Sequence, residues 1–176
     1  MAVKIRQYKE LTVSPDIMKD LMDIETRCFN PNIQETYESK KELVESADIV
    51  LFAYDGERII GEAYTAQEEA GDMGDPGNKD TIHLAEVFKD MKCAGGVYFM
   101  SLAVLPEYQG KGIARQLLID MTYCCVRKGF SYIYTHAKEG SSAHLFHSLG
   151  GKMLSKRENW FDTGNTHYLF KISLWR

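Results

Sequence analysis

Along this chain the apolar positions change period several times, and each change marks an element. Residues 3–8 alternate and predict a short first strand. Ser14 then offers an N-cap and Pro15 a first helical position, after which Ile17, Leu21, Ile24 and Cys28 recur at helical spacing. Pro31, between Asn30 and Asn32, stops that helix. A second, more polar helix is predicted over 34–46, because Tyr37, Leu43 and Val44 share one side. Residues 49–54 form a compact apolar strand, Asp55-Gly56 signals a hairpin, and 59–66 return as the third strand. Residues 97–105 scarcely alternate and predict a strand buried on both faces. The widest apolar stripe, Ile113, Ala114, Leu117, Leu118, Met121, Cys124 and Cys125, predicts a helix over 112–128 that Gly129 ends. A strand over 130–136, a helix over 141–149 and a hairpin of 152–160 with 168–175 complete the pattern.

The order is that of an α/β (α+β) domain, a mixed twisted sheet of about seven strands with helices on both faces. At 176 residues it is a single domain over 1–176. Residues 67–96 interrupt the pattern between the third and fourth strands. They carry Gly71, Gly74, Pro76, Gly77, Gly95 and Gly96 around one plausible helix at 81–91. An insertion of that length serves either as part of a substrate site or as a tolerated surface excursion.

Composition narrows the function classes. With 44% hydrophobic and 26% charged residues the chain reads as a globular protein, not as a disordered or fibrous one. A net charge of −4 with interleaved signs argues against a nucleic-acid partner. No apolar run approaches the roughly 20 residues that span a bilayer, and the first twenty residues lack an apolar leader, so no membrane partner and a cytoplasmic location are expected. Cys28, Cys93, Cys124 and Cys125 form no CxxC pair and no ligand spacing with the five histidines, so reduced thiols and no metal are expected.

The segment that carries chemistry is 102–115, LAVLPEYQGKGIAR. A buried strand runs into a glycine-bearing turn that opens a helix. Gly110 and Gly112 leave the backbone uncovered, so amides from Gln109 to Ala114 can converge with the helix dipole on one anion, with Lys111 and Arg115 adding charge. The P-loop pattern fails, because Gly112 and not Ser or Thr follows Lys111. The dinucleotide fingerprint fails for want of a third glycine.

Gln109-x-x-Gly112-x-Ala114, preceded by Leu102-x-Val104-x-Pro106, resembles the acetyl-CoA signature of the GNAT superfamily of N-acetyltransferases, (Gln/Arg)-x-x-Gly-x-(Gly/Ala) after a strand ending in Val-x-Pro. The element order, Ile24-Glu25-x-x-Cys28-Phe29 and Phe146-x-x-Leu149-Gly150 extend the likeness over most of the chain. The resemblance implies acetyl-CoA as co-substrate, an amine acceptor, and central strands splayed around the acetyl thioester, in a monomer or homodimer. It implies that backbone groups at Leu102, Ala103 and Val104 hold the pantetheine, that amides of Gln109, Gly110, Lys111, Gly112, Ile113, Ala114 and Arg115 hold the pyrophosphate, and that Ser142 and Phe146 lie beside the cofactor. It also implies a bulge near Leu102 that opens the strand.

The pattern departs from the family at the chemistry. Phe146 stands where many members carry a Tyr that protonates the thiolate, Glu139 where an Asn often binds pantetheine, and Gly151 where Phe is usual. Sliding the register by one brings in His147. The missing acid costs little, since a thiol pKa near 8.5 already makes a tolerable leaving group. Deprotonating the amine is harder: a lysine-like amine costs roughly 4 kcal/mol at pH 7.4. Candidate bases are Glu62, set in the apolar strand IIGEAY; Tyr98, at a family base position; His136, at a strand end beside the gap; and Glu25, at the end of the first helix. Each has a structural alternative. Glu62 can sit on an exposed sheet face, Tyr98 can be a packed strand Tyr, and Glu25 a solvated helix residue. Without a base in the gap, the chain would read instead as an acyl-CoA-binding sensor on the same fold. A plain nucleotide-phosphate binder is the third reading.

Overall fold

The computed structural model describes residues 3–8, 12–67 and 75–174. Its strands are β1 (Lys4–Tyr8), β2 (Ile49–Asp55), β3 (Arg58–Ala66), β4 (Gly96–Val104), β5 (Tyr132–Lys138), β6 (Lys152–Arg157) and β7 (His167–Ser173). Its helices are α1 (Pro15–Cys28), α2 (Tyr37–Ser46), α3 (Lys79–Cys93), α4 (Ile113–Arg127) and α5 (Ser141–Ser148). The strands form one seven-stranded sheet ordered β1-β2-β3-β4-β5-β7-β6. Every neighbouring pair is antiparallel except β4 and β5.

Local signals account for most boundaries. Ser14 Oγ accepts from the Ile17 N–H at the start of α1, and Pro15 fills the first position. Thr36 caps α2 through Ser39, so that helix begins three residues later than the sequence pattern suggests. Phe130 also falls outside its expected strand. Its N–H bonds the Cys125 carbonyl, just past Gly129 at φ +86°, so the residue completes the end of α4. The 67–96 insertion contains α3, longer than 81–91 at both ends because Asn78 supplies an N-cap to Asp80. Gly71 and Gly74 of that insertion, and Trp175 of the last hairpin, lie outside the described residues.

Consecutive residues of β3 divide the helices between the two faces. A Cβ on Gly61 would stand 3.5 Å from Leu117 of α4, whereas Glu62 bonds Lys40 of α2. On β4, Phe99 packs edge-on against Phe146 of α5 and Tyr98 stacks on Phe88 of α3. Helices α1, α2 and α3 therefore cover one face, and α4 and α5 the other. Strands β2 and β3, buried except at their hairpin ends, carry the main core, with Leu51, Phe52, Ile59 and Ile60 at 1% exposure or less. Each such side chain contributes roughly 1.5–3 kcal/mol on burial.

The β4–β5 seam positions the site. The strands pair only over Gly96–Tyr98 and Tyr132–Tyr134. At the β3 side the register skips Met100, between Ser101 opposite Tyr64 and Phe99 opposite Thr65. The irregularity thus falls two residues before the expected Leu102, and beyond it the two strands separate.

Candidate active site

The separation of β4 and β5 opens a cleft of about 980 Å³ that runs through to the α1, α2 and α3 face. Leu105 N–H bonds the Ile60 carbonyl, so by the alternation of an antiparallel ladder Ala103 and Ser101 also turn their amides to β3. The amide groups of Leu102 and Val104 are left facing the gap. There the Val104 carbonyl accepts from Gln109 Nε2 at 2.9 Å. Gly110 and Gly112 adopt φ +73° and +80°, with nothing near the place a Cβ would occupy, and no side chain caps α4. The first amides of α4 therefore face the cleft unpaired by any capping group, at the positive end of the helix. Gly110, Gly112, Ile113, Ala114, Arg115, Ser142 and Phe146 all line it. Lys111 does not: its ammonium bonds the Glu107 carbonyl at 2.9 Å. Phe146 is 3% exposed and wedged between Phe99 and Phe170, while His147 is exposed and outside the lining. Glu139 accepts from Tyr168 Oη at 2.6 Å.

The four candidate bases fall into two clusters on the α1, α2 and α3 side of the cleft. Glu62 is fully buried and does not line the cleft. Its Oε1 accepts from Lys40 Nζ at 2.6 Å and Ser101 Oγ at 2.7 Å. Lys40, itself fully buried, also donates to Glu25 Oε2 at 2.7 Å and Tyr64 Oη at 3.1 Å. Burial alone would lower the Lys40 pKa, but Glu62, Tyr64 and Glu25 outweigh it and hold the ammonium well above its ordinary value. Burial raises the Glu62 carboxyl despite Lys40. Glu25 is 2% exposed, lines the cleft, and accepts the Glu35 N–H at 3.0 Å on its other oxygen. An unpaired buried charge is costly, and here two carboxylates share one ammonium.

The second cluster is neutral and aromatic. Tyr98 Oη stands 2.6 Å from His136 Nδ1, and the His136 N–H donates to the same oxygen at 3.2 Å. His136 stacks on Trp160 at 4.2 Å and 20°. Its Nε2 stands 3.2 Å from Nε2 of His83, on α3. Tyr98, His136 and Trp160 line the cleft. Burial holds His136 well below the usual imidazole range, helped by His83, His167 and Arg157, and burial raises the Tyr98 phenol. Near neutral pH this pair is therefore an uncharged phenol and an uncharged imidazole.

A strap roofs this side of the cleft. Asn30 Nδ2 donates to the Thr163 carbonyl at 3.3 Å, Asn32 Nδ2 to the Asp162 carbonyl at 2.7 Å, and the Phe161 N–H to Asp80 Oδ2 at 2.9 Å. Asn159, Phe161 and Asp162 all hold positive φ, and such strain concentrates at ligand sites. Cys28 also lines the cleft, its thiol bonded to the Val104 carbonyl at 3.4 Å and its pKa pushed up to about 11 by burial, so it is not a ready nucleophile.

Sequence reasoning did not single out Lys40, His83, Ser101 or Trp160. A lone Lys in a polar helix and a His in an insertion carry no local signal. Among the described residues, no helix is long and apolar enough to cross a membrane, and no group of three His, Cys, Asp or Glu is placed to hold a metal.

No curated protein sequence matches this chain. Solved structures do. The ribosomal-protein-S18-alanine N-acetyltransferase of Escherichia coli superposes with a TM-score of 0.67 at 15% identity, covering 99% of this chain and 96% of that one. Arylalkylamine N-acetyltransferase like 5b of mosquito gives 0.68 at 16% identity, over 98% of this chain and 100% of that one. Salmonella typhimurium yncA, solved with its cofactor acetyl-CoA, gives 0.67 at 17%, over 100% and 96%. At these identities the likeness is one of fold. The model of the acetyltransferase (GNAT) family matches residues 18–150, and with the glycine turn, the parted β4–β5 seam and the exposed start of α4 inside that span, the chain belongs to this family of acetyl-CoA-dependent N-acetyltransferases.

Proposed function

We propose that this protein transfers the acetyl group of acetyl-CoA to a primary amine, on a small molecule or a peptide, by direct attack through a tetrahedral intermediate. The observation that carries the reading is the cleft itself, in which the gap-facing amides of β4 and the uncapped start of α4 border one space with the Tyr98–His136 pair. The Leu102 and Val104 amides would hold the pantetheine as an added strand, and the amides from Gln109 to Arg115 the pyrophosphate. The thioester would then lie between β4 and β5, where a β4 amide can stabilise the oxyanion. Tyr98 and His136 take the amine proton: the phenol passes it to an imidazole kept neutral by burial. Glu25, tied to Lys40, lies in the wall of the acceptor space, and Glu62 is enclosed behind it. No side chain at Phe146 donates a proton, and the CoA thiolate leaves unaided.

A thermal-shift titration tests the binding half. Acetyl-CoA at a hundredfold excess over its Kd stabilises the fold by about 2.7 kcal/mol, while ATP and NAD do not. Release of free CoA thiol across an amine panel tests the chemical half. Binding without release on any amine would mark the chain as an acyl-CoA sensor. No shift with acetyl-CoA would remove the reading.

A further inference from the structure

The insertion between β3 and β4 places a histidine behind the proposed proton acceptor. We propose that His83, carried on α3, is a positioning residue through which the amine proton leaves the cleft, making the inserted helix part of the transfer machinery. This rests on Tyr98 and His136 acting as proposed above. Three groups stand in line: Tyr98 Oη, 2.6 Å from His136 Nδ1, and His136 Nε2, 3.2 Å from His83 Nε2. The line has a start and an end. Tyr98 and His136 line the cleft, and His83 lies outside the lining, half-buried toward the protein surface. Trp160, stacked on His136 and edge-on to His83, holds the imidazoles in register.

The bookkeeping of protons closes. The acceptor ammonium gives a proton to Tyr98 Oη as the Tyr98 proton passes to His136 Nδ1. His136 releases the proton on Nε2 to His83 Nε2, and His83 releases the one on Nδ1 to water. The amine ends neutral, water holds one more proton, and both imidazoles end uncharged in their other tautomers. Burial, Arg157 of β6 and His167 of β7 act against charge on His136, as does His83 itself. Burial and Arg157 lower His83, while Glu86 and Asp80 of α3 oppose them. Of the two rings, only His83 has carboxylates beside it. It is therefore the better place for a transient positive charge near the exit.

The test is the pH dependence of the full chain and of His83→Gln, which keeps a hydrogen-bonding side chain but cannot titrate. His83→Asn is the second variant should the first fold poorly. Nitrogen-15 NMR of the histidine rings needs no turnover. In the parent, His136 reads as a neutral ring with Nδ1 accepting, and in His83→Gln its pKa rises because a repelling charge is gone. In the pH–rate profile, His83→Gln lowers kcat at least about tenfold and flattens the acid limb, with KM for acetyl-CoA unchanged. A His136 titration and a rate profile that superimpose on the parent's would overturn the relay and leave acetyl transfer standing. Absence of thiol release by the parent on every amine would overturn acetyl transfer instead, and the NMR titration would still decide whether the two rings are coupled.

Discussion

Two polar clusters flank the same cleft on the same face of the sheet, and they solve burial in opposite ways. On the β3 side, Lys40, Glu25, Glu62, Tyr64 and Ser101 form an ionic network, with Lys40 and Glu62 fully shielded while Glu25, Tyr64 and Ser101 border the cleft. On the β5 side, Tyr98, His136 and Trp160 are uncharged and open at the cleft, with His83 edge-on behind them. Both contain buried titratable groups, yet only the second combines a neutral acceptor with access. Glu62 keeps one oxygen without a hydrogen-bond partner, but it is enclosed behind the cleft and paired with an ammonium, so an amine proton has no path to it. A buried imidazole kept uncharged by desolvation has a lone pair ready for that proton, at the cost of reduced basicity.

Substitutions can pull the two apart. The largest effect belongs to Lys40→Met, which strands two buried carboxylates. Its expected cost is about 3–5 kcal/mol, a drop in Tm of roughly 6–20 °C for a chain of this size. Denaturation in urea checks it, and a Tm within a degree or two of the parent's would mean the cluster is not an ionic network. Next is His136→Gln, expected to lower kcat about a hundredfold while leaving KM for acetyl-CoA and Tm near parental values. An unchanged kcat would move the proton acceptor elsewhere in the cleft. Glu62→Gln should show the converse. Lys40 keeps Glu25, so the loss is about 1–3 kcal/mol of stability with kcat per folded molecule nearly unchanged. A large fall in kcat there would restore Glu62 as the base and dissolve the contrast.

The smallest effect is one of pH. Burial lowers His167, on β7, to about 4. A histidine depressed in the folded state binds fewer protons than the unfolded chain below its unfolded pKa. It therefore costs stability as the pH falls from about 6.5 toward 4 and costs none above that window. His167→Phe removes this slope, so its Tm relative to the parent should rise as the pH is lowered through the window. A parallel pair of Tm–pH curves would contradict the assignment. Lys40 acts at the other end: with its folded pKa raised, its contribution is complete below the unfolded value near 10.4 and is lost only as the pH rises through the folded one.

Much of the fold is visible in the chain itself. Ser14-Pro15, the Asp55-Gly56 hairpin and the stripe of Ile113, Leu117, Leu118 and Met121 each act within a few residues, and each element forms where they point. The glycine turn is equally local, because Gly110 and Gly112 set their own backbone conformations. Lys111 is the exception. Its charge belongs to the motif, yet its ammonium folds back onto the Glu107 carbonyl and over the Tyr108 ring, away from the cleft.

Elements, their order and the glycine turn follow from the sequence alone because they depend on period, caps and glycine φ, all local properties of the chain. The fate of each titratable group does not. Lys40 meets Glu62 across 22 residues, Tyr98 meets His136 across 38, and His83 meets His136 across 53. Whether a carboxylate is locked in an ion pair or an imidazole is kept neutral depends on desolvation and on neighbours brought from distant segments. Only the folded sheet, with its helices shared between two faces, decides that Glu62 is enclosed and that His136 looks into the cleft.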